Sequence, residues 1–505
     1  MPERYIKKIL EAKVYDVAIE TPIDEARLLS ARIGNRVLLK REDLQPVFSF
    51  KLRGAYNKMA SLSKEELARG VVAASAGNHA QGLALAASKM GVKATIVMPK
   101  TTPQIKVDAV KSRGGKVILH GDVYDEASTY AKKLTAEKGM TYVHPYDDPE
   151  VIAGQGTIGM EILRQHTGPL DAVFVPVGGG GLAAGVSAYI KYVRPDVKVI
   201  AVEPEDAACL KAALEANRRV TLKEVGLFAD GVAVAQIGKE TFRVLKKTID
   251  GVITASTDEI CAAIKDIFDD TRSIAEPAGA LALAGLKKYV EQNGCEGQTL
   301  LAIDSGANTN FDRLRYISER TEIGERREAV LSVQIPEKPG SFKRFCEALG
   351  RRNITEFNYR YSDSRDAQIF VGVQISPENN DREDLVNELK DLGYPVWDMT
   401  DNEMAKLHIR YMVGGHAPAT VTNERLYRFE FPERPGALMK FLKTLPQAWN
   451  ISLFHYRNHG SAYGRVLVGM QIDEKDRRKV GEYLDKLHYP YQEETENPAY
   501  TQFLS

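Results

Sequence analysis

Residues 172–193 read AVFVPVGGGGLAAGVSAYIKYV, an apolar run followed by four glycines and then a helix-like stretch. This order predicts a strand that turns directly into a helix, with Gly178–Gly181 at the turn. Because glycine has no Cβ, several backbone N–H groups can converge there on one anion, at the positive end of the helix dipole. Four consecutive glycines cost more chain entropy than close packing alone explains, so the motif predicts a phosphate site.

The same alternation of short apolar runs and helix-like stretches extends from about residue 30 to residue 310. Nearly continuous apolar strands separated by helices are typical of a parallel sheet covered on both faces, so this part is α/β. The N-terminal residues 1–20 predict an amphipathic helix followed by a strand. The predicted strands are 71–75, 94–99, 116–120, 172–177, 198–204, 251–256 and 299–304, and the predicted helices are 78–90, 104–112, 124–138, 149–166, 182–192 and 258–272.

After residue 320 the pattern changes and the chain repeats itself. The charged stretch 318–329 has the composition of a linker or an exposed helix. Residues 331–349 then resemble residues 427–445, with Pro339-Gly340 matching Pro435-Gly436 at an offset of 96. Each copy predicts a strand, a Pro-Gly turn, a helix, two strands and a helix. Two copies predict a packed pair of small α+β domains, serving either as a structural or oligomerisation module or as a ligand-binding one.

The length, charge and cysteine content of the chain exclude several classes of protein. A chain of 505 residues exceeds one ordinary core of ~250–300 residues and predicts several domains. Lys+Arg and Asp+Glu are equal at 68 each, so no global charge favours nucleic acid or an anionic membrane. The four cysteines are scattered without metal-ligand spacing, and no apolar stretch approaches the ~18 residues of a spanning helix. We therefore expect a soluble, reduced, cytoplasmic protein without a structural metal.

A second group of motifs predicts covalent chemistry at a lysine. SFKLRGAYNKM (49–59) places Lys51 at the start of a helix-like run, directly after Phe50. A nucleophilic lysine must be presented from a fixed, partly desolvated place so that its amine can be neutral. SAGNHAQG (75–82) follows another predicted strand and offers Ser75, Gly77, Asn78 and the first N–H groups of a helix, which suit a carboxylate.

The glycine run by itself also permits a dinucleotide site. Gly178, Gly180 and Ala183 satisfy G-x-G-x-x-A, and Glu203 ends the next predicted strand at the distance of ~20 residues that such a fold requires. A nicotinamide or flavin enzyme is therefore a competing interpretation at this point.

Taken together with EPAGA (276–280) and SGAN (305–308), the lysine, carboxylate and glycine motifs resemble the β-family, fold-type II pyridoxal-phosphate enzymes. Within that group they are similar to the biosynthetic threonine dehydratases. The resemblance covers roughly residues 5–320, and the C-terminal repeat resembles the paired ACT-like regulatory domains of the same enzymes. It implies a catalytic domain over 1–320 with two α/β subdomains, a linker over 321–328, and ACT-like domains over 329–415 and 424–505.

The resemblance also implies roles for individual residues. Lys51 would carry the cofactor, pyridoxal 5′-phosphate, covalently and take the substrate Cα proton. A serine rather than a carboxylate at the pyridine nitrogen would leave that nitrogen largely neutral, which favours loss of a β-hydroxyl over transamination. The remaining implied contacts are Phe50 against the pyridine ring, Ser75, Gly77 and Asn78 at the substrate carboxylate, Asn78 also near the cofactor O3′, Gly178, Gly179, Gly180 and Gly181 at the phosphate, and Ser305 at the pyridine nitrogen.

The function implied is deamination of L-threonine, and more slowly of L-serine, to a 2-oxo acid and ammonia. For threonine the product is 2-oxobutanoate, in the first committed step of isoleucine biosynthesis. The ACT-like half implies feedback inhibition by L-isoleucine relieved by L-valine, and the family implies a homotetramer. The alternatives are a serine dehydratase or racemase of the same fold, a nicotinamide dehydrogenase, and a non-catalytic amino-acid sensor. A nucleic-acid partner is not predicted, since the sequence shows no basic patch and no aromatic stacking motif.

Several further residues have two interpretations each. Glu276 either faces the active site or simply begins a helix before Pro277. His79 is expected to pack in the first turn of its helix, and His144 to lie in a loop. Cys209 stands where some relatives carry a carboxylate near a divalent cation, so no metal is predicted there. The segments 357–359 and 454–456 either line an aliphatic effector pocket or form the core of strands.

Overall fold

The structure, a computed structural model, forms two compact units, Met1–Thr321 and Glu322–Ser505. In the part of the chain that it describes, no helix combines the length and apolar character needed to cross a membrane. The described residues are 2–311, 313–338, 340–350, 352–361, 366–376, 380–402, 405, 409, 415–432, 436–446, 449–457, 463–497, 500 and 504.

The first unit alternates strands and helices along its whole length. Its strands are β1 (Ile23–Glu25), β2 (Arg36–Arg41), β3 (Val71–Ala74), β4 (Ala94–Met98), β5 (Lys116–Leu119), β6 (Thr141–Tyr142), β7 (Ala172–Pro176), β8 (Lys198–Pro204), β9 (Gly251–Ala255) and β10 (Thr299–Asp304). Its helices are α1 (Pro2–Leu10), α2 (Arg27–Ile33), α3 (Lys51–Ala60), α4 (Lys64–Arg69), α5 (Asn78–Met90), α6 (Gln104–Lys111), α7 (Tyr124–Lys138), α8 (Pro149–Gln165), α9 (Gly181–Val193), α10 (Cys209–Glu215), α11 (Lys239–Thr248), α12 (Thr257–Thr271), α13 (Pro277–Asn293) and α14 (Arg313–Gly324).

The larger sheet has the strand order β1-β2-β10-β7-β8-β9 and is parallel except for β1 at its edge. Successive residues of a strand point to opposite faces, and here both faces are buried. Leu301 and Ile303 of β10 pack with α8 and α9, whereas Leu300 and Ala302 pack with α12 and α13. The predicted parallel sheet covered on both faces is confirmed.

The smaller sheet has the order β5-β4-β3-β6 and is entirely parallel. Alternate residues of its central strands again face two layers. Val71 and Ala73 of β3 pack with α3 and α5, and Val72 and Ala74 pack with α7. The seven predicted strands all form, divided between the two sheets.

The N-terminal strand predicted within residues 1–20 does not form. After α1 the chain turns, with the Ala18 N–H donating to the Val14 carbonyl at 2.8 Å. Val14 and Ala18 are buried against Val47 and Leu52 instead of entering a sheet. The spacing of these apolar residues therefore reflects their packing beside α3, not a strand. The strand that pairs with the edge of β2 is β1.

A buried ionic network anchors α3, the helix that begins at Lys51. Arg53 pairs with Glu161 at 2.5 Å and with Glu42 at 2.8 Å, and Lys40 pairs with Glu161 at 2.7 Å. All four side chains are fully buried. Because two cations face two carboxylates, the charges balance inside the protein, and the network ties α3 to β2 and α8.

We expect Arg53→Ala to destabilise α3 by about 3–5 kcal/mol, because it leaves two buried carboxylates without their shared cation. Hydrogen exchange of the backbone amides of residues 50–60 measures this directly, as a loss of protection. Arg69→Ala is the matched control, since Arg69 is exposed and donates to the carbonyl of Gly139 at 2.8 Å. Unchanged protection in the Arg53 variant would contradict the anchoring role.

The second unit is one antiparallel sheet of the order β14-β11-β13-β12-β16-β17-β15-β18. Each predicted repeat supplies half of it, and the halves join through antiparallel pairing of β12 with β16. The strands are β11 (Glu328–Pro336), β12 (Ile354–Arg360), β13 (Asp366–Gln374), β14 (Val396–Asp398), β15 (Glu424–Pro432), β16 (Asn450–Arg457), β17 (Tyr463–Gln471) and β18 (Tyr491–Glu493), with helices α15 (Ser341–Ala348), α16 (Asp381–Asp391), α17 (Ala437–Thr444) and α18 (Val480–Asp485).

Aromatic residues of both repeats share one core. The Phe342 ring lies 5.0 Å from that of Phe357 and 5.3 Å from that of Phe454, and the latter two are almost fully buried. Of the two interpretations of these segments, strand core describes Phe357 and Phe454. The stretch predicted as a linker, 321–328, contains the end of α14 and the first residue of β11. Pro339 and Pro435 of the repeated Pro-Gly turn lie outside the described residues.

Candidate active site

Three loops of the first unit follow the carboxyl ends of parallel strands. Residues 75–77 follow β3, Gly178–Gly181 follow β7, and residues 305–308 follow β10. In open α/β sheets this edge, outside the strand ends, is where ligands bind. All three loops carry residues that the sequence motifs single out.

Lys51 is the first residue of α3, and its Nζ atom lies 3.4 Å from the carbonyl oxygen of Pro145. The same atom lies 5.1 Å from the centroid of the Phe50 ring. Burial disfavours the ammonium form and lowers the pKa of Lys51 to about 8, although the nearby Glu276 acts in the opposite direction. An appreciable fraction of the amine is therefore neutral near pH 7, as a nucleophile requires.

Backbone hydrogen bonds join the Lys51 segment to the loop after β10. The Phe50 N–H donates to the Ser305 carbonyl at 3.4 Å, and the Ala307 N–H donates to the Phe48 carbonyl at 2.9 Å. Ser305 is buried, and its hydroxyl donates to the Ala278 carbonyl at 3.2 Å. The structure thus brings Phe50, Lys51 and Ser305, three of the residues that the resemblance singles out, close together.

The loop 75–77 and the start of α5 lie directly beside α3. The Gly77 N–H donates to Ser75 Oγ at 3.3 Å, and α5 begins at Asn78. Gly82 lets the two helices touch, because a Cβ there would fall 2.8 Å from the backbone nitrogen of Leu52. The last glycine of SAGNHAQG therefore serves helix packing, which brings the Asn78 end of α5 to the Lys51 end of α3.

His79 lies in the first turn of α5, as expected, and is buried. Its Nε2 lies 2.9 Å from the carbonyl oxygen of Val143, so this nitrogen must carry the proton and donate. Burial, with the charge of Lys51, lowers the pKa of His79 to about 3. His79 is a neutral packing residue that connects α5 to the chain after β6.

The glycine loop has no room for side chains. A Cβ on Gly179 would fall 2.2 Å from the ring of Tyr146, and one on Gly178 would fall 2.8 Å from Val232 Cα. Gly180 has φ +90°, a left-handed conformation that glycine adopts without strain, and α9 begins at Gly181. Since the loop leads directly into the N-terminus of a helix, it offers backbone N–H groups and a positive dipole to an anion.

A segment that the sequence motifs do not single out completes the site. His144–Asp148, which we call the HPYDD segment, passes between Lys51 and the glycine loop. His144 Nδ1 accepts from the N–H groups of Tyr146 at 3.3 Å and Asp147 at 2.8 Å, which holds the turn. The Pro145 carbonyl faces Lys51, and the Tyr146 ring covers Gly179. His144 does lie in a loop, but that loop is part of the site.

The two aspartates of the HPYDD segment cap neighbouring helices. Asp147 accepts from the N–H groups of Lys239 and Glu240, both at 2.8 Å, at the start of α11. Asp148 caps α8 and pairs with Lys58 of α3 at 2.8 Å. Asp148-Pro149 is an ordinary helix-start signal, and it was the only signal in the sequence that the segment is structurally important.

Glu276 both begins a helix and faces the active site, so the two interpretations of this residue hold together. It precedes α13 as the N-cap residue, with Pro277 in the first turn, and its carboxylate also faces the site. Asn78 Nδ2 donates to Glu276 Oε1 at 2.5 Å. Burial, together with the charge of Asp230, raises the pKa of Glu276 to about 7.

Glu203 does not occupy the position that a dinucleotide site needs. Its two carboxylate oxygens accept from the N–H groups of Leu210 at 2.7 Å and Lys211 at 2.8 Å, so it caps α10. Cys209, at the start of that helix, donates its thiol to the Gly178 carbonyl at 3.5 Å. Because Glu203 is fully buried and its carboxylate faces the N-terminus of α10, it is not accessible to a ribose, and this geometry contradicts the nicotinamide interpretation. In the described ranges, no three His, Cys, Asp or Glu side chains cluster in a way that could hold a metal ion.

Comparison with known proteins identifies the class of enzyme to which the first unit belongs. Residues 14–306 match the pyridoxal-phosphate dependent enzyme family, so the first unit is a pyridoxal-phosphate enzyme of fold type II. The C-terminal half matches the C-terminal regulatory domain of threonine dehydratase twice, over 319–409 and 415–504.

The full chain is 60% identical to the biosynthetic L-threonine dehydratase of Burkholderia multivorans over 504 residues, covering 99% of both chains. It is 55% identical to that of Escherichia coli, covering 99% of this chain and 97% of the other. The chain belongs to the family of biosynthetic threonine dehydratases.

Solved structures of similar proteins each match about three fifths of this chain. Processed threonine deaminase isoform 2 from Solanum lycopersicum is 51% identical with a TM-score of 0.62, covering 63% of this chain and 93% of the other. Serine racemase from Dictyostelium discoideum is 33% identical with a TM-score of 0.57, covering 61% of this chain and 99% of the other.

The residues of the site fit the cofactor of this class. Pyridoxal phosphate needs an amine to bind its carbonyl carbon, a flat apolar surface for its ring and an anion site for its phosphate. Lys51, Phe50 and the glycine loop offer these three features. The residues packed around Gly178 and Gly179 leave space for the backbone of the glycine loop alone. A loop of this kind can bind an oxyanion through its backbone N–H groups.

Proposed function

We propose that the Lys51 site deaminates L-threonine to 2-oxobutanoate and ammonia, the first committed step of isoleucine biosynthesis. The observation that carries the proposal is a half-buried lysine, with its pKa lowered to about 8, set beside an aromatic ring and across the HPYDD segment from a glycine-only loop. The biosynthetic L-threonine dehydratases that match over 99% of this chain support the same activity.

In this proposal Lys51 would hold pyridoxal phosphate covalently, and Phe50 would pack against its ring. Gly178–Gly181 would bind its phosphate, and Ser305 would face its pyridine nitrogen. When bound, the cofactor withdraws electrons from the substrate and makes the Cα proton acidic.

The protein residues perform the remaining steps. Ser75, Gly77 and Asn78 bind the substrate carboxylate and orient the Cα–H bond towards Lys51, whose Nζ takes the proton. A serine hydroxyl at the pyridine nitrogen would leave that nitrogen uncharged, which would favour departure of the β-hydroxyl. One water leaves as the hydroxyl departs and one is taken up as ammonia is released, so threonine yields 2-oxobutanoate and ammonia in balance.

Serine dehydration and serine racemisation are the competing activities on the same fold. A serine racemase resembles the first unit at 33% identity over 61% of this chain. A binding pocket distinguishes threonine from serine by only ~1–3 kcal/mol for one methyl group, so we propose L-serine as a slower substrate. The threonine assignment is favoured because the dehydratase relatives match both units of the chain, regulatory half included.

We propose that the second unit binds L-isoleucine, which inhibits turnover, and L-valine, which relieves the inhibition. An effector acts by binding one state of the enzyme better than another, with a coupling of typically ~1–3 kcal/mol. The proposed domains are catalytic over 1–320 and ACT-like over 329–415 and 424–505. A homotetramer and a cytoplasmic location are proposed on the family resemblance.

The first test is the initial rate of 2-oxobutanoate formation from L-threonine by the full chain, with and without L-isoleucine. We expect turnover that isoleucine lowers at least fivefold and that valine restores. Trp397 and Trp449 are the two tryptophans of the chain and both belong to the second unit, so their fluorescence reports effector binding independently of turnover. Absence of 2-oxobutanoate from a protein loaded with pyridoxal phosphate would contradict the substrate assignment.

A further inference from the structure

Asn78 lies in the middle of a chain of hydrogen bonds that crosses the site. Its Oδ1 accepts from Asn308 Nδ2 at 2.7 Å, and its Nδ2 donates to Glu276 Oε1 at 2.5 Å. Asn308 Nδ2 also donates to the backbone carbonyl of Val47 at 2.7 Å. The chain runs from Val47 through Asn308 and Asn78 to Glu276 and joins four segments of the site. Neither Asn308 nor Glu276 has a role in the proposed reaction.

The backbone carbonyl of Val47 sets the direction of this chain. A carbonyl oxygen only accepts, so the Asn308 atom that faces it must be the amide nitrogen. That nitrogen has two N–H groups and gives the second to Asn78, so the Asn78 atom facing Asn308 must be the oxygen. The Asn78 nitrogen then faces Glu276. Rotating either amide by half a turn would place two donors or two acceptors against each other.

Glu276 ends the chain as a buried acceptor that is 4% exposed. The charged groups around it are Asp230, Lys106, Lys51 and the buried Asp304. A carboxyl group retains acceptor lone pairs whether or not it carries a proton. Glu276 can therefore accept from Asn78 in either protonation state.

We propose that Asn308 and Glu276 are positioning residues that hold the Asn78 amide in one orientation, so that its second Nδ2 hydrogen is reserved for an oxygen of bound pyridoxal phosphate. An amide nitrogen has two hydrogens, and Glu276 uses one of them. The inference rests on the proposed function and on the position of Asn78 near the cofactor O3′, which the family resemblance implies. The new element is that Asn308 and Glu276, which do not bind the cofactor themselves, decide whether Asn78 presents a donor or an acceptor to it.

The test uses Asn308→Asp, which keeps the shape of the side chain and removes the amide that donates to Asn78 and Val47. The apo-protein is titrated with pyridoxal phosphate, and the dissociation constant and the visible absorption band of the bound cofactor are recorded. We expect binding to weaken about tenfold or more and the band to shift. Asn293→Asp is the matched control, because Asn293 also donates to a backbone carbonyl, that of Tyr289, but on the surface. It should leave both readouts unchanged.

Glu276 provides a second, graded comparison. Glu276→Gln keeps an acceptor oxygen for Asn78, and we expect cofactor binding within about threefold of wild type. Glu276→Ala removes the acceptor, and we expect a loss similar to that of Asn308→Asp. A purely electrostatic role would instead make Gln and Ala equivalent, since both remove the charge, and that result would overturn the inference. Thermal unfolding of each apo-protein identifies a variant that fails to fold, and Asn308→Ala then replaces Asn308→Asp.

A double-mutant cycle separates this inference from the proposed function. If Asn308 acts through Asn78, then Asn308→Asp should have no further effect on cofactor binding once Asn78→Ala is present. An equal loss in both backgrounds would overturn the positioning role. If Asn78→Ala alone leaves cofactor binding unchanged, the proposed role of Asn78 fails and the inference fails with it. Absence of threonine turnover in the wild type would affect the proposed function alone.

Discussion

Lys51→Ala should remove covalent attachment of pyridoxal phosphate and reduce threonine turnover by about 10⁴-fold or more. A positioned proton-transfer group supplies ~10²–10⁴-fold by itself, and loss of the covalent link adds to this. Lys51 makes one long hydrogen bond, to the Pro145 carbonyl at 3.4 Å, so its removal should change the stability of the apo-protein by less than about 1 kcal/mol.

The measurement is borohydride reduction of the loaded protein followed by mass spectrometry, together with the rate of 2-oxobutanoate formation. Wild type should carry one cofactor-derived adduct on the peptide containing Lys51, and the variant none. Lys89→Ala is a suitable control, because Lys89 is an exposed lysine near the end of α5. Wild-type activity in the Lys51 variant would refute the proposed mechanism.

Gly179→Ala should weaken cofactor binding by about a hundredfold. The new Cβ would fall 2.2 Å from the Tyr146 ring, so either the ring or the glycine loop has to move. Forcing a methyl group into a closely packed position costs ~1–3 kcal/mol, and here the strain falls on the loop proposed to bind the phosphate. Titration of the apo-protein with pyridoxal phosphate measures the loss.

The cause can be isolated by combining Gly179→Ala with Tyr146→Ala. Removing the ring makes space for the new methyl group, so the double variant should bind the cofactor better than Gly179→Ala alone. Gly168→Ala serves as the control, because its Cβ would meet no atom closer than 3.6 Å, in His166. A double variant as weak as the single one would show that the Gly179 backbone itself, rather than its contact with Tyr146, is what the site needs.

Much of the first unit could be predicted because the signals are local. The run AVFVPV followed by four glycines and an apolar helix specifies β7, the loop and α9 within 22 residues. Helices 78–90 and 124–138 were predicted at their observed bounds for the same reason, since apolar spacing and flanking turn residues act over short distances. Local signals misled at residues 14–18, where apolar side chains pack under α3 without forming a strand.

The candidate site could be predicted only as separate motifs. The HPYDD segment reads as a loop before a helix, and nothing in it points to Lys51 or Gly179, which contact Pro145 and Tyr146. Glu203 shows the opposite case. Its spacing from the glycine run matches a dinucleotide site, but its carboxylate caps α10, and no rule of spacing reveals where a carboxylate points.

By itself, the sequence determined the α/β class, the duplicated C-terminal half, and which loops carry a lysine, a carboxylate site and a glycine run. Only the tertiary structure decided that these loops meet, that Asn78 lies between Asn308 and Glu276, and that Tyr146 covers Gly179. The physical reason is that strand identity depends on neighbours along the chain, whereas strand order does not. Asn78 and Glu276 are 198 residues apart, and they touch because Asn78 follows β3 while the Glu276 N–H donates to the Gly306 carbonyl, at 2.9 Å, in the loop after β10.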